Sequence, residues 1–307
     1  MSTVAVTGGS GFVGAHVITA LRSAGHTVID VGRRPARVET DWFVPVQLAS
    51  TDPGAVPDLG TLPVVNCAAA VGDGRGAATH NINHAITRSV LRMTAGRLVH
   101  VSSSSVYDIT RPSVAITPET TRPDHPWHGS YGLSKYNSER QVLRAEREAV
   151  ILRPHAVYGA GDTTLMPTVR RAARGGFLVL PRGGRALHAL TAVENLAAAV
   201  VAALSADVVG TRILNVTDDD PVPLRTAFRA VLGRPRLPVV PVPVPVARTA
   251  ARATGERAIS EYAVLQVGYQ RTYDLTETER VLRWRPRRGT LERLTALGED
   301  ERRGGRR

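Results

Sequence analysis

Tyr131 and Lys135 stand four residues apart in the stretch Ser130-Tyr-Gly-Leu-Ser-Lys-Tyr136, and Lys135 is the only lysine among 307 residues that include 39 lysines and arginines. On a helix these two side chains share one face. A phenol titrating near about pH 10 is a poor acid or base at neutral pH. An ammonium beside it favours the phenolate, and a phenol so tuned can exchange a proton with a bound oxygen. Arginine would supply the charge but not a compact, titratable donor. The run Ser102-Ser-Ser-Ser105 lies just upstream and offers hydroxyls to orient the same oxygen. These residues together predict proton transfer.

The elements that must position them follow an α/β pattern. Thr3-Val-Ala-Val-Thr7 is a short β-branched run, followed by Gly8-Gly-Ser-Gly-Phe-Val-Gly14, a helical pattern over 15–24 stopped by Gly25, and a second strand over 27–31. Strand, glycine turn, helix and strand form the context of a dinucleotide fingerprint. Gly8, Gly11 and Gly14 let the backbone turn tightly and approach a pyrophosphate, with Phe12 and Val13 opening the helix whose N-terminus faces that charge. Residues 62–70 read as a buried strand running into Cys67, Ala68 and Ala69, small enough for a cofactor to lie against the backbone. A helix over 83–93, a strand over 97–102, a long helix over 131–149 and a strand over 150–153 continue the alternation. It predicts a doubly wound parallel sheet, a Rossmann fold, with ligands at the carboxyl ends of its strands. Residues 1–165 form the dinucleotide-binding domain in this reading, and residues 166–307 form mainly a smaller α/β substrate-binding lid. Pro235 to Pro245, with proline nearly every second residue, reads as an extended loop or edge segment.

Composition narrows the function. No apolar run is long enough to span a membrane and no signal-peptide pattern opens the chain, so a cytoplasmic protein without a membrane partner is expected. Cys67 is the one cysteine, which excludes an internal disulfide. The net charge of +12 raises nucleic acid as a partner, but the arginines are dispersed and aromatics make up only 5%, so none is expected. The histidines show no metal-ligand spacing, and no metal is assigned. Asp218-Asp-Asp220 reads as a loop and helix-capping cluster.

The chain resembles the extended short-chain dehydrogenase/reductase family, the NAD-dependent epimerase/dehydratase-like group that includes sugar-nucleotide epimerases, dihydroflavonol reductases and hydroxysteroid dehydrogenases. The resemblance rests on Thr7 to Gly14, Asn66-Cys-Ala-Ala69, Asn83, Val101 to Tyr107, Tyr131 to Lys135, Leu152-Arg-Pro-His-Ala-Val-Tyr-Gly159 and lid segments beginning at Leu190 and Tyr273. It implies that Tyr131 is the acid/base, Lys135 its pKa-lowering partner and cofactor ligand, and Ser103, four residues before Tyr107, the orienting hydroxyl, with Ser104 as fallback and substrate contact. It makes Asn83 the supporting helix asparagine. Pro154 and His155, at the same sheet edge, read as cofactor contacts, with a structural role equally open for His155. Arg185 precedes the Leu190 segment where the family often places a phosphate-binding arginine. A homodimer through the Tyr131 helix is a further implication.

Departures from the family pattern carry the rest. Where NAD-using members place an acidic residue after the second strand, this chain has Gly32 followed by Arg33 and Arg34, while Asp30 falls inside the strand. Loss of a carboxylate and gain of guanidinium groups suits a 2′-phosphate, so NADP(H) is expected over NAD(H). Ser104 and Ser105 replace the acidic pair of dehydratases. The expected activity is hydride transfer from NADPH to a ketone on a small molecule, with Tyr131 as proton donor. An NAD-dependent nucleotide-sugar epimerase is the alternative, and a non-catalytic dinucleotide sensor is a third reading.

Overall fold

The computed structural model describes residues 2–50, 52–71, 77–120, 127–254 and 260–304. Seven parallel strands form the central sheet: β1 (Thr3–Thr7), β2 (Thr27–Gly32), β3 (Trp42–Pro45), β4 (Val64–Asn66), β5 (Leu98–Val101), β6 (Ala149–Pro154) and β7 (Thr211–Val216), in the order β7-β6-β5-β4-β1-β2-β3. Every residue of β5 and β6 is buried, as a sheet covered on both faces requires. The chain winds outward from β1 through β2 and β3, then returns to β4 and winds the other way. The order reverses between β1 and β4, and a ligand crevice opens beyond their carboxyl ends.

Helices α1 (Phe12–Ser23), α2 (Ala77–Met93), α3 (Ser130–Arg144), α4 (Leu165–Ala172), α5 (Val193–Ser205), α6 (Leu224–Leu232), α7 (Val244–Ala253), α8 (Glu261–Gly268), α9 (Thr276–Leu282) and α10 (Thr290–Gly304) account for the helical segments. α1 and α5 pack together on one face of the sheet around Val17, Ile18, Leu196 and Val200. α2 and α3 pack on the other around Ile86, Val90, Met93 and Val142. A separate core gathers around Met166, Leu178, Leu180, Leu224, Phe228 and Leu294.

The sheet also draws on the chain beyond residue 165. β7 is its outermost strand, α5 packs on its face, and Leu282 of α9 joins the same core. The reason is that a run such as Val193 to Leu204 is apolar enough to be buried on the sheet face as well as against a lid, and sequence alone cannot choose between them. The proline-rich stretch holds the edge strand 239–242, paired in parallel with the strand 177–181, where Pro241 removes a donor at little cost. Asp220 accepts from the backbone N–H groups of Gly289 and Thr290, so the acidic run caps α10, a helix far downstream, and not the helix that follows it.

One buried ion pair joins α3 to the sheet. Arg153, on fully buried β6, donates from Nε to Glu139 Oε1 at 2.9 Å and from its terminal nitrogen to Oε2 at 2.6 Å. Ser102 Oγ donates to the same Glu139 carboxylate at 2.5 Å, and the guanidinium lies 4.9 Å over the Tyr107 ring. Both charged side chains are 2% exposed. Glu139→Gln leaves a buried guanidinium without its counter-charge, and denaturant titration is expected to show a loss of about 3–5 kcal/mol. Glu139→Leu combined with Arg153→Met removes both charges and is expected to cost less than either single change.

Candidate active site

The glycine turn forms a tight cradle. Gly8 has φ of +80°, and a Cβ there would stand 2.7 Å from the Ala68 nitrogen, so β1 and the segment after β4 touch backbone to backbone. A Cβ on Gly14 would collide with the Gly8 carbonyl. Gly11 is the exposed N-cap of α1, and no acidic side chain stands in the first turn to oppose an anion there. Phe12 lies against the Gly159 to Gly161 turn, and Val13 packs on the core below α1. Across the carboxyl ends of three strands, Thr7 Oγ1 donates to Asn66 Oδ1 at 2.7 Å, and Asn66 Nδ2 lies 2.9 Å from His100 Nδ1. This row holds the crevice floor in register. The cradle fits a dinucleotide, with Gly8, Gly11 and Gly14 supplying the close approach and Cys67 to Ala69 the opposite wall.

Tyr131 and Lys135 enter from the first two turns of α3, and Ser103 from the end of β5. Ser103 Oγ donates to Ser105 Oγ at 2.9 Å, and Ser103 favours the ionised form of the Tyr131 phenol. Lys135 is 4% exposed, and its Nζ donates to the Val101 carbonyl at 2.9 Å, with Cys67 beside it. The expectation of a phenol lowered by the lysine is not met. Burial, reinforced by the neighbouring Tyr262 phenol and opposed by Ser103, pushes Tyr131 above its ordinary value. The ammonium itself is pulled down to about 8 by burial, against the opposing pull of Cys67 and Glu139. Helical spacing places two side chains on one face, but desolvation depends on what the fold stacks over that face.

Asn83 takes a supporting position. Its Oδ1 accepts from Ala70 N–H at 2.7 Å and its Nδ2 donates to the Ser134 hydroxyl at 2.9 Å, which in turn donates to the Tyr131 carbonyl at 2.7 Å. It thereby ties the segment after β4 to the first turn of α3. Pro154 ends β6, and His155 turns its ring inward: Nδ1 lies 2.9 Å from Ser104 Oγ and Nε2 lies 3.3 Å from His188 Nδ1. Burial holds both imidazoles neutral. Ser104 is thus committed to His155. Arg33 and Arg34 follow β2, exposed and without an ion pair among the described residues. Asp30 is fully buried within β2 and accepts from the Ala36 N–H at 2.6 Å, which folds their loop back onto the strand end. Arg185 stands apart from this set; with Arg182, Arg225 and the 239–243 segment it lines a lid cleft of about 440 Å³.

Sequence reasoning missed two residues at the site. Glu139 anchors α3 through Arg153, and Tyr262 of α8 lies beside Tyr131. Glu139, four residues after Lys135, sits on the same helix face, a signal open to inspection; nothing local marks Tyr262.

A family model described as "NAD dependent epimerase/dehydratase family" matches residues 4–217. The chain is an extended short-chain dehydrogenase/reductase. As a member of this family it is an NAD(P)-dependent enzyme of the oxidoreductase kind. It is 30% identical over 270 residues, 80% of this chain and 78% of the other, to a 4-hydroxy-2-methyl-3-oxo-4-farnesyl-3,4-dihydroquinoline-1-oxide ketoreductase of Stigmatella aurantiaca. It is 27% identical over 255 residues, 76% of this chain and 77% of the other, to a 2-alkyl-3-oxoalkanoate reductase of Stenotrophomonas maltophilia. Among solved structures, MoeE5 in complex with UDP-glucose and NAD superposes with a TM-score of 0.72 at 23% identity, covering 98% of this chain and 99% of that one. A UDP-galactose 4-epimerase does so with a TM-score of 0.74 at 20% identity and the same coverage, 98% and 99%. Both structural likenesses speak for the fold. Among the described residues of this extended short-chain dehydrogenase/reductase, no helix is long and apolar enough to cross a membrane and no group of three metal-binding side chains gathers.

The buried ammonium makes stability depend on pH. An unfolded lysine keeps its proton to about pH 10.4, whereas Lys135 in the fold gives it up near about 8. Between these values the unfolded chain binds more protons, so raising the pH favours the fold. The cost of burying the charge is therefore fully present below pH 8 and is relieved toward pH 10. Lys135→Met is expected to melt above the parent at pH 7, with the gap closing as the pH rises through this window.

Proposed function

We propose that this enzyme reduces a ketone on a small-molecule intermediate with NADPH, Tyr131 delivering the proton. The observation that carries the reading is the joint placement of Ser103, Tyr131 and Lys135 beside the glycine cradle, with Arg33 and Arg34 unpaired at the end of β2. The 3-oxo compounds in the names of two relatives support a ketone substrate. In this reading the nicotinamide supplies the hydride. Ser103 orients the carbonyl oxygen, and Tyr131 gives that oxygen its proton as the new C–H bond forms. Lys135 holds ribose hydroxyls and offers positive charge to the phenolate left behind. Gly32 leaves room for a 2′-phosphate, and the guanidinium groups of Arg33 and Arg34 bind it.

The lid, comprising most of 166–307 apart from α5, β7 and α9, selects the substrate, and two copies pair through α3. The cleft of Arg182, Arg185 and Arg225 favours one second reading, in which Arg185 holds the diphosphate of a nucleotide sugar and the activity is NAD-dependent epimerisation.

Cofactor titration separates the two. NADPH is expected to bind more tightly than NADH, and Arg33→Ser with Arg34→Ser is expected to weaken NADPH by about tenfold to a hundredfold, the worth of a charged hydrogen bond, while leaving NADH unchanged. Tighter binding of NADH, or NAD carried through purification, transfers the reading to the epimerase.

A further inference from the structure

The short loop after β2 is pinned at both ends. At its start the Gly32 carbonyl accepts from the Val46 N–H at 2.9 Å. At its far end the Ala36 N–H donates to Asp30 Oδ2 at 2.6 Å, and Ala36 rests on the core beneath α1 and α5. Arg33, Arg34 and Pro35, all exposed, are the residues between the pins, and Pro35 fixes its own φ. A segment this short has little freedom, so the two guanidinium groups project from backbone that is held in one place.

Asp30 makes the far pin. It stands in β2, paired with Val6 of β1 and Phe43 of β3, and it is fully buried. Its other oxygen, Oδ1, has no hydrogen-bond partner among the described residues. That oxygen fills the space a side chain on Gly9 would need: a Cβ there would stand 2.4 Å from it. One carboxylate therefore lies against the glycine turn that approaches the pyrophosphate and also holds the loop that carries Arg33 and Arg34. A carboxylate with one unpartnered oxygen is a costly filling for a sheet interior. Valine would be buried there without that cost, but it could not hold Ala36.

We propose that Asp30 is a positioning residue for cofactor choice: it holds the loop of Arg33 and Arg34 at a fixed distance from the glycine turn, so that both guanidinium groups meet the 2′-phosphate of a dinucleotide whose pyrophosphate rests on that turn. This rests on the NADPH reading above. Asp30 lies too deep in the strand to meet the ribose itself, and it acts through the backbone of Ala36.

Asp30→Val removes the acceptor and suits a strand. Nicotinamide fluorescence titration is expected to show this variant binding NADPH about fivefold to tenfold more weakly than the parent, the worth of one net hydrogen bond, with NADH affinity kept. Asp30→Asn retains an acceptor for Ala36 and should keep the parent's preference. In the background of Arg33→Ser with Arg34→Ser, Asp30→Val should have no further effect on NADPH, because the groups it positions are gone. If Asp30→Val does not fold, Ala36→Pro, which removes the donor of the same hydrogen bond, carries the same titration. A parent that prefers NADPH, with an Asp30→Val variant that weakens both cofactors alike or neither, overturns this inference and leaves the cofactor reading standing. So does an Asp30→Asn variant that loses as much as Asp30→Val. A parent that prefers NADH removes the cofactor reading and this inference with it.

Discussion

The ion pair between Glu139 and Arg153 is the constraint on which the site depends. A guanidinium on a strand buried on both faces has no route to water, so a carboxylate must come to it, and the one that comes is carried by α3. Glu139 lies four residues beyond Lys135. The demand of Arg153 for a partner therefore sets the rotation of α3, which turns Tyr131 and Lys135 toward the carboxyl ends of β4 and β5. Ser102, at the end of β5, shares the same carboxylate, so the serine run is tied to the same anchor.

Around that anchor the chain uses close approach and polar bridges to shape the crevice. Gly8 against Ala68 brings two backbones together where any side chain would part them. Thr7, Asn66 and His100 link the ends of three strands by side chains, which keeps the floor rigid under a cofactor. The burial that fixes Lys135 also lowers its hold on its proton and raises that of Tyr131. The site is thus a desolvated one, in which burial outweighs the neighbouring charges.

The lid closes the account from the other side. The contact of Ser105 with Tyr262 joins parts of the protein that are distant in sequence, and the ion pairs of Glu261 with Arg248 and Arg252 hold the start of α8. The histidine pair of His155 and His188, neutral and stacked at 5.6 Å between their centroids, does similar structural work beneath Ser104.

By itself the sequence determined the strand, glycine turn and helix at the N-terminus, the α/β alternation, and Tyr131 with Lys135 on one helix face, because each depends on spacing within a few residues. It also placed Gly32 at the end of β2, with Arg33 and Arg34 after it, by counting along a short run. Only the tertiary structure decided that α5 and β7 return past residue 165 to the sheet, since apolar periodicity does not say which core will bury it. The same holds for the pairing of Ser105 with Tyr262 and of Asp220 with the start of α10. These contacts span 157 and about 70 residues, and no local pattern records which distant partner satisfies a buried polar group. The direction in which Tyr131 and Lys135 shift was likewise beyond the sequence, because burial, which only the packed chain defines, outweighs the charge beside it.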